Sequence, residues 1–135
     1  MEILTSNIET IIKLIISLSV INVWVFRSSR PTFWRGGDAN SMAEEFKAYG
    51  LSTTVMSIVG GLKILFSCLL LITLIIPPTF NSHNEMIEMV GLIGIATTMT
   101  GAIIMHIKIN DAPIKSLPAF IFLLLSLFLL YLNNL

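Results

Sequence analysis

The sequence predicts an all-α fold, an up-down bundle of four transmembrane helices with a short interfacial helix between spans 1 and 2. Two observations predict the bundle. Of the 135 residues, 55% are hydrophobic and only 12% are charged, and the mean hydropathy is +0.88, which is too apolar for a soluble domain. In addition, four hydrophobic segments are separated by short polar connections, the arrangement that favours antiparallel neighbours. A third observation, a helix-capping pattern in the first connection, predicts the short helix.

The four segments approach the ~20 residues that are needed to cross a bilayer. The expected spans are residues 8–26, 54–76, 89–109 and 117–132 of one domain, 1–135. Pro77 and Pro78 should end the second span, and Ser116 with Pro118 marks the start of the fourth. The fourth is the shortest and is expected to be tilted or to cross a thin region.

The distribution of lysine and arginine predicts the orientation. The connection after span 1 contains Arg27, Arg30, Arg35 and Lys47, whereas residues 77–88 contain neither lysine nor arginine. Because positive connections stay in the cytoplasm, residues 27–53 and 110–116 are expected there, with both termini outside. The chain is thus expected to be a multi-pass protein of the cell membrane, and the short loops suit a bacterial inner membrane. The net charge of zero gives no field that would attract nucleic acid.

The connection between spans 1 and 2 is expected to fold rather than to be a simple linker. Ser41 and Glu44 form a capping box, and Gly50 is a natural stop, so a helix is expected over about residues 42–49. Its apolar face, spaced at i, i+4 and i+7, contains Met42, Phe46 and Tyr49. We expect this helix to lie in the interface and to fold back over the inner mouth of the bundle.

Two polar groups are placed where lipid should exclude them. Lys63 lies ~15 Å into span 2, near the bilayer midplane, where a lysine costs ~2.5–3.5 kcal/mol. It shares a helix face with Gly60 and is expected to point into the bundle, toward a partner or water; snorkelling is the alternative. His106 lies near the end of span 3, with Asp111 as the nearest acid in sequence, and is either an interfacial residue or a ligand- or proton-binding group.

Small residues predict where the spans pack. Close helix contacts in lipid use glycine, so spans 2 and 3 are expected to meet through Gly60, Gly61, Gly91, Gly94 and Gly101. In span 1, Glu9 and Lys13 stand at i and i+4 and are expected to form an ion pair that anchors the outer end. The one cysteine, Cys68, allows no intrachain disulfide, and no metal-ligand cluster is evident.

Three stretches resemble the DoxX-like membrane proteins, especially the small stand-alone branch: FRSSRPTFWRGGDANSMAEEFKAYGL, VGGLKILFSCLLL and GAIIMHIKINDAPIKSLPA. The resemblance implies a four-helix membrane fold. The positions it singles out are Arg35, Gly36, Gly37, Glu45, Phe46, Tyr49, Gly50, Lys63, His106 and Lys108.

The resemblance connects the chain with a family of several activities, although most of its small bacterial members have no established one. Members of the broad family are associated with quinone-linked sulfur oxidation, with oxidative-stress membrane complexes and with receptor assembly. The family also looks like a distant relative of the vitamin K epoxide reductase bundle, but the paired-cysteine chemistry of those enzymes does not carry over to a chain whose only cysteine is Cys68.

Three functions compete. The first is a binding or assembly module that holds a lipid-soluble ligand or a membrane protein partner in a polar pocket near the cytoplasmic side. The second is a membrane subunit of a quinone-coupled oxidoreductase, with quinone as the candidate cofactor; the third is a transporter, and a homo-oligomer is compatible with each. No catalytic constellation is visible. The candidate ligand-binding residues are Lys63, His106, Arg35, Glu45, Tyr49, Lys108 and Asp111.

Overall fold

The structure is a computed structural model that describes residues 2–76 and 83–134. Within these ranges the helices are α1 (Glu2–Ile21), α2 (Met42–Ala48), α3 (Thr53–Ile75), α4 (Asn84–Lys108) and α5 (Leu117–Asn133). A π-helical turn, Asn22–Phe26, continues α1, and 3-10 turns at Gly36–Asp38 and Pro113–Ser116 precede α2 and α5. The segments Ile3–Phe26, Thr53–Ile75, Asn84–Lys108 and Pro113–Asn133 are long and apolar enough to cross a membrane. The predicted all-α class with four spans is confirmed.

Two helices begin earlier than the hydropathy predicts. Helix α1 starts at Glu2 rather than at residue 8, and α4 starts at Asn84 rather than at residue 89. The first turns of α4 are polar, but two of their side chains have partners inside the protein: Asn84 Nδ2 donates to the carbonyl of Thr73 at 3.3 Å, and Glu88 pairs with Lys13. Polar residues whose side chains have such partners can be part of a transmembrane helix, although their low hydropathy places them outside the predicted span. The predicted stop at Pro77 and Pro78 lies outside the described residues.

The helices pack in the order α1, α3, α4, α5 around a core whose most buried side chains include Ile16, Leu70, Leu92, Ile95 and Leu129. Helix α3 packs against both α1 and α4, and α4 packs against α5, whereas α1 and α5 touch only sparsely. The bundle therefore has one weakly closed seam, between its first and last spans.

Glycines bring these helices together, although not all of them in the predicted way. A Cβ at Gly91 would lie 3.0 Å from the Leu70 side chain, and one at Gly94 would overlap the Phe66 ring, so these two residues join α4 to α3. Gly60 corrects the prediction, because its close neighbour is Trp24 of span 1, 2.6 Å from an added Cβ. Gly61 and Gly101 face open space rather than a neighbouring helix.

The ion pair of Lys13 also differs from the prediction. Lys13 Nζ lies 2.9 Å from Glu88 Oε2 of α4, and Asn133 Nδ2 of α5 donates to the other oxygen of Glu88 at 3.0 Å. The prediction that Lys13 would pair with Glu9 was wrong, because a buried ammonium gains more from a carboxylate across the bundle than from a half-exposed one on its own helix. This cluster ties three spans together at the end of the bundle opposite residues 27–52.

Candidate functional site

The connection between spans 1 and 2 folds across one end of the bundle, which we call the capped end (covered by residues 27–52 and 110–116). Helix α2 begins as predicted: Ser41 Oγ accepts from the Glu44 N–H at 3.2 Å, and the Glu44 carboxylate accepts from the Asn40 N–H at 2.7 Å. The apolar face of α2 is buried against spans 1, 2 and 3 rather than lying in lipid. The residues of this contact are Met42, Phe46 and Tyr49 on α2, and Trp24, Met56, Val59, Met105 and Ile109 on the spans.

Arg35 holds the capped end together. Its side chain is only 3% exposed. The guanidinium donates to the carbonyls of Arg27 at 2.6 Å and Arg30 at 3.1 Å, and to Glu45 Oε2 of α2 at 3.1 Å. Because a guanidinium presents several donors in a rigid fork, one residue closes the turn after span 1 and fastens it to α2.

The two glycines that follow Arg35 allow the backbone to approach the other side chains of the site. A Cβ at Gly36 would lie 2.8 Å from both the Tyr49 hydroxyl and Asp111 Oδ2. Gly37 has φ of +61°, which disfavours other residues, and its N–H donates to Asp111 Oδ1 at 3.1 Å. The Arg-Gly-Gly sequence is thus explained residue by residue. Arg35 fastens the connection to α2, Gly36 allows close approach of Tyr49 and Asp111, and Gly37 adopts a left-handed conformation.

A run of polar contacts crosses the capped end from α2 to the connection after α4. The Tyr49 hydroxyl donates to Glu45 Oε1 at 2.6 Å and lies 3.5 Å from His106 Nε2. His106 Nδ1 lies 2.7 Å from Asp111 Oδ2. Lys108 braces this run by donating to the Tyr49 carbonyl at 3.0 Å. Four of the predicted candidate residues therefore form one connected network, Glu45, Tyr49, His106 and Asp111.

The protonation states of this network follow from its surroundings. Burial raises the pKa of Tyr49 above its usual value and the Glu45 carboxylate raises it further, so Tyr49 remains a phenol that donates to Glu45. Burial alone would raise the pKa of Asp111, but its hydrogen bonds with His106 and the Gly37 N–H outweigh burial and hold that pKa below its usual value. An ionised Asp111 needs a donor, so it favours a proton on His106 Nδ1. Because the Tyr49 hydroxyl donates its proton to Glu45, its 3.5 Å contact with His106 Nε2 is a hydrogen bond only when Nε2 carries a proton.

Beneath this network lies a cavity of about 700 Å³. Its wall is mostly apolar and comes from all four spans and the capped end. Arg35, Glu45, Tyr49, Lys63 and His106 contribute to it. A wall of this composition, apolar with a few convergent polar groups, is typical of small-molecule sites, whose volumes are roughly 300–1,000 Å³.

Lys63 differs from the other charged residues of the wall. Its side chain is 8% exposed and points into the bundle, as the helical periodicity predicts. Its Nζ lies 5.3 Å from the centroid of the Trp24 ring. Among the described residues, however, none accepts a hydrogen bond from the Lys63 ammonium, and none forms an ion pair with it within 4.0 Å.

A model of the DoxX-like family matches residues 32–129. The chain belongs to the DoxX-like family. The match begins just before the Arg-Gly-Gly sequence and ends near the end of α5, so the whole hydrogen-bonded network of this DoxX-like protein lies within it. No curated protein and no solved structure matches the chain.

The predicted candidates of this DoxX-like protein divide into two groups. Lys63, His106, Arg35, Glu45 and Tyr49 line the cavity, whereas Lys108 and Asp111 lie behind the wall and position the groups that line it. The described residues contain no group of three or more His, Cys, Asp or Glu side chains that could hold a metal ion.

The cavity residues that the sequence reasoning missed include two aromatic residues and a lysine. Trp24 lies under Lys63, Phe33 lies 5.4 Å from Lys115 Nζ, and Lys115 donates to the Arg35 carbonyl at 2.8 Å. Aromatic rings near the ends of spans are enriched at membrane interfaces, so their position in the sequence alone does not mark them as cavity residues. A signal was present for Trp24: it lies on the same face of span 1 as Lys13.

Proposed function

We propose that this DoxX-like protein is a membrane binding module that holds a lipid-soluble small molecule in the cavity beneath the capped end. The observation that carries the proposal is Lys63, a buried ammonium that points into an apolar cavity and has no hydrogen-bond acceptor among the described residues. The chain is an integral membrane protein, so a ligand dissolved in the bilayer can reach the site.

The free-energy cost of burying the Lys63 ammonium supports this function. A lysine at this depth costs ~2.5–3.5 kcal/mol even on an insertion scale, and the Trp24 ring offsets only part of that, since cation–π contacts contribute about 0.5–2 kcal/mol. Arg35 and Tyr49 already occupy both Glu45 oxygens. A ligand head that accepts a hydrogen bond from Lys63 would supply the missing interaction.

The positive connections support the predicted orientation, in which the capped end faces the cytoplasm. A cysteine at the exposed position Lys47, in a Cys68→Ser background, tests this. In sealed inside-out vesicles a membrane-impermeant maleimide should label it, and in right-side-out vesicles it should not. Labelling with the opposite preference would reverse the orientation.

Two glycines give a matched test of the cavity. Gly101 lines the cavity and has no atom within 4 Å of an added Cβ, whereas Gly61 has the same free space but lies outside the wall. Gly101→Leu should fill part of the cavity, and Gly61→Leu should not, although both remove a helical glycine and so raise helix propensity by up to about 1 kcal/mol.

The readout is the set of small molecules that copurify with each variant, measured by mass spectrometry of the protein in detergent. We expect wild type and Gly61→Leu to carry the same lipid-soluble compound and Gly101→Leu to lose most of it. Equal ligand content in all three proteins, or none in any, would contradict the proposal.

A second candidate function is a quinone-binding subunit of a membrane oxidoreductase. The run from Glu45 through Tyr49 and His106 to Asp111 favours it, because it joins the cavity wall to the connection after α4 and offers groups that can move a proton. The cavity residues fit such a ligand: Lys63 is a donor for a carbonyl oxygen, and the quinone would supply the electron chemistry. A quinone among the copurified compounds would support this candidate.

A further inference from the structure

We propose that the ligand of the cavity is an anionic amphiphile with a single chain, whose acid group pairs with Lys63 and whose chain leaves the bundle between α1 and α5. This inference rests on the proposed binding function and narrows it to one chemical class. It comes from three observations: the charges of the cavity wall, the missing partner of Lys63 and the seam between the first and last spans.

The charged side chains of the wall are mostly cations. Glu45 is the one carboxylate among the described lining residues, and it is committed to Arg35 and Tyr49. The carboxylate nearest to Lys115 is that of Asp38, which is fully exposed, outside the wall and 4.0 Å away. The cations of the wall are Arg27, Arg35, Lys63 and Lys115.

This surplus of positive charge favours an anion over a neutral head. A neutral carbonyl could accept one hydrogen bond from Lys63, but it would leave the buried charge without a counter-charge, and an unpaired charge is strongly unfavourable in a low-dielectric environment. A carboxylate or phosphate supplies both the acceptor and the charge. Charge-assisted hydrogen bonds of this kind are about twice as strong as neutral ones.

The seam gives the chain of the ligand a route into the bilayer. Near the capped end the cavity is bordered by Val20 of α1 and Val23 of its π-helical continuation on one side, and by Ala119 and Phe122 of α5 on the other. These two helices touch only sparsely, unlike every pair of spans adjacent in the packing order. The border residues are apolar, so they suit a hydrocarbon chain and offer nothing to a second polar group.

Trp24 provides the reporter for a test, because its ring lies under Lys63. The chain has two tryptophans, and Trp34→Phe leaves Trp24 as the only one. Stearic acid with two bromine atoms on its chain is titrated into this variant in detergent at pH 8, and its methyl ester is the uncharged control with the same chain. Bromine quenches tryptophan fluorescence on contact.

We expect the acid to quench Trp24 saturably, with an apparent affinity at least about tenfold higher than that of the ester, which corresponds to about 1.4 kcal/mol. Lys63→Met should remove this preference, and Lys63→Arg should keep it. Equal binding of acid and ester to the protein that retains Lys63 would overturn the inference, and that comparison does not depend on whether a Lys63 variant folds.

The outcomes separate this inference from the proposed function. If acid and ester bind equally and Gly101→Leu weakens both, the cavity binds lipid-soluble molecules without a charge preference, and only the anionic class is wrong. If neither compound quenches Trp24 saturably, the single-chain amphiphile class is wrong, and the proposed function is then decided by the ligand content of Gly101→Leu and Gly61→Leu. Displacement of the brominated acid by oleate or by oleoyl lysophosphatidate then shows whether the acid group is a carboxylate or a phosphate.

Discussion

Two lysines are buried equally in this membrane bundle and have opposite surroundings. Lys13 is 7% exposed and Lys63 is 8% exposed. Lys13 pairs with Glu88, which also accepts from Asn133, whereas Lys63 faces the ring of Trp24 and a cavity. Burial alone therefore does not separate a structural cation from a binding one; the presence or absence of a partner inside the protein does.

The difference follows from where the carboxylates lie. Glu88 is in the first part of α4, at the same end of the bundle as Lys13, and no other cation competes for it within 4.0 Å among the described residues. Glu45 lies in the cap above Lys63, but the guanidinium of Arg35 is closer and fixed by the carbonyls of the connection. The polar groups of the capped end thus satisfy one another and leave Lys63 available.

Removing Lys13 should have the largest effect. Lys13→Met leaves the Glu88 carboxylate buried without a counter-charge and should lower the free energy of unfolding by ~3–5 kcal/mol. The measurement is denaturant unfolding in detergent, followed by circular dichroism. Lys13→Met combined with Glu88→Leu should recover most of the loss, since no charge is then left unpaired. A double variant as unstable as the single one would show that the pair is not what stabilises this end.

Acidification should affect the capped end through Asp111. The pKa of Asp111 is depressed in the folded protein. The ionised carboxylate therefore contributes fully to stability above the unfolded-state pKa of about 4. This contribution is lost as the pH falls through the lower pKa of the folded state. We expect the difference in melting temperature between wild type and Asp111→Asn to be largest near neutral pH and to shrink below about pH 4. The other carboxylates titrate in both proteins, so a constant difference across this range would contradict the prediction.

Replacing Lys63 should have the smallest effect on stability. Methionine has a similar volume and leaves no stranded ion pair, so Lys63→Met should change the free energy of unfolding by less than about 1 kcal/mol, or increase it. The same unfolding assay as for Lys13→Met gives the direct comparison. A loss of several kcal/mol would show that Lys63 is a structural cation like Lys13.

Much of this architecture could be predicted from local pattern. The capping box of α2 and the inward direction of Lys63 depend on residues within one or two helical turns, and the structure has both. The early start of α4 could not be predicted. A charged residue such as Glu88 lowers the local hydropathy and therefore indicates a loop, and only the tertiary structure shows that Lys13 neutralises it within the bundle.

The sequence by itself determined that the chain crosses the membrane, how α2 begins and which way Lys63 points, because these depend on composition, on local capping and on the helical period. Only the tertiary structure decided which polar groups meet: Lys13 with Glu88, Trp24 against Gly60, and Tyr49 with His106 and Asp111. The reason is geometric. The helical period fixes directions within one helix, whereas a contact between helices also depends on their relative rotation and height, which are set by the packing of the whole bundle.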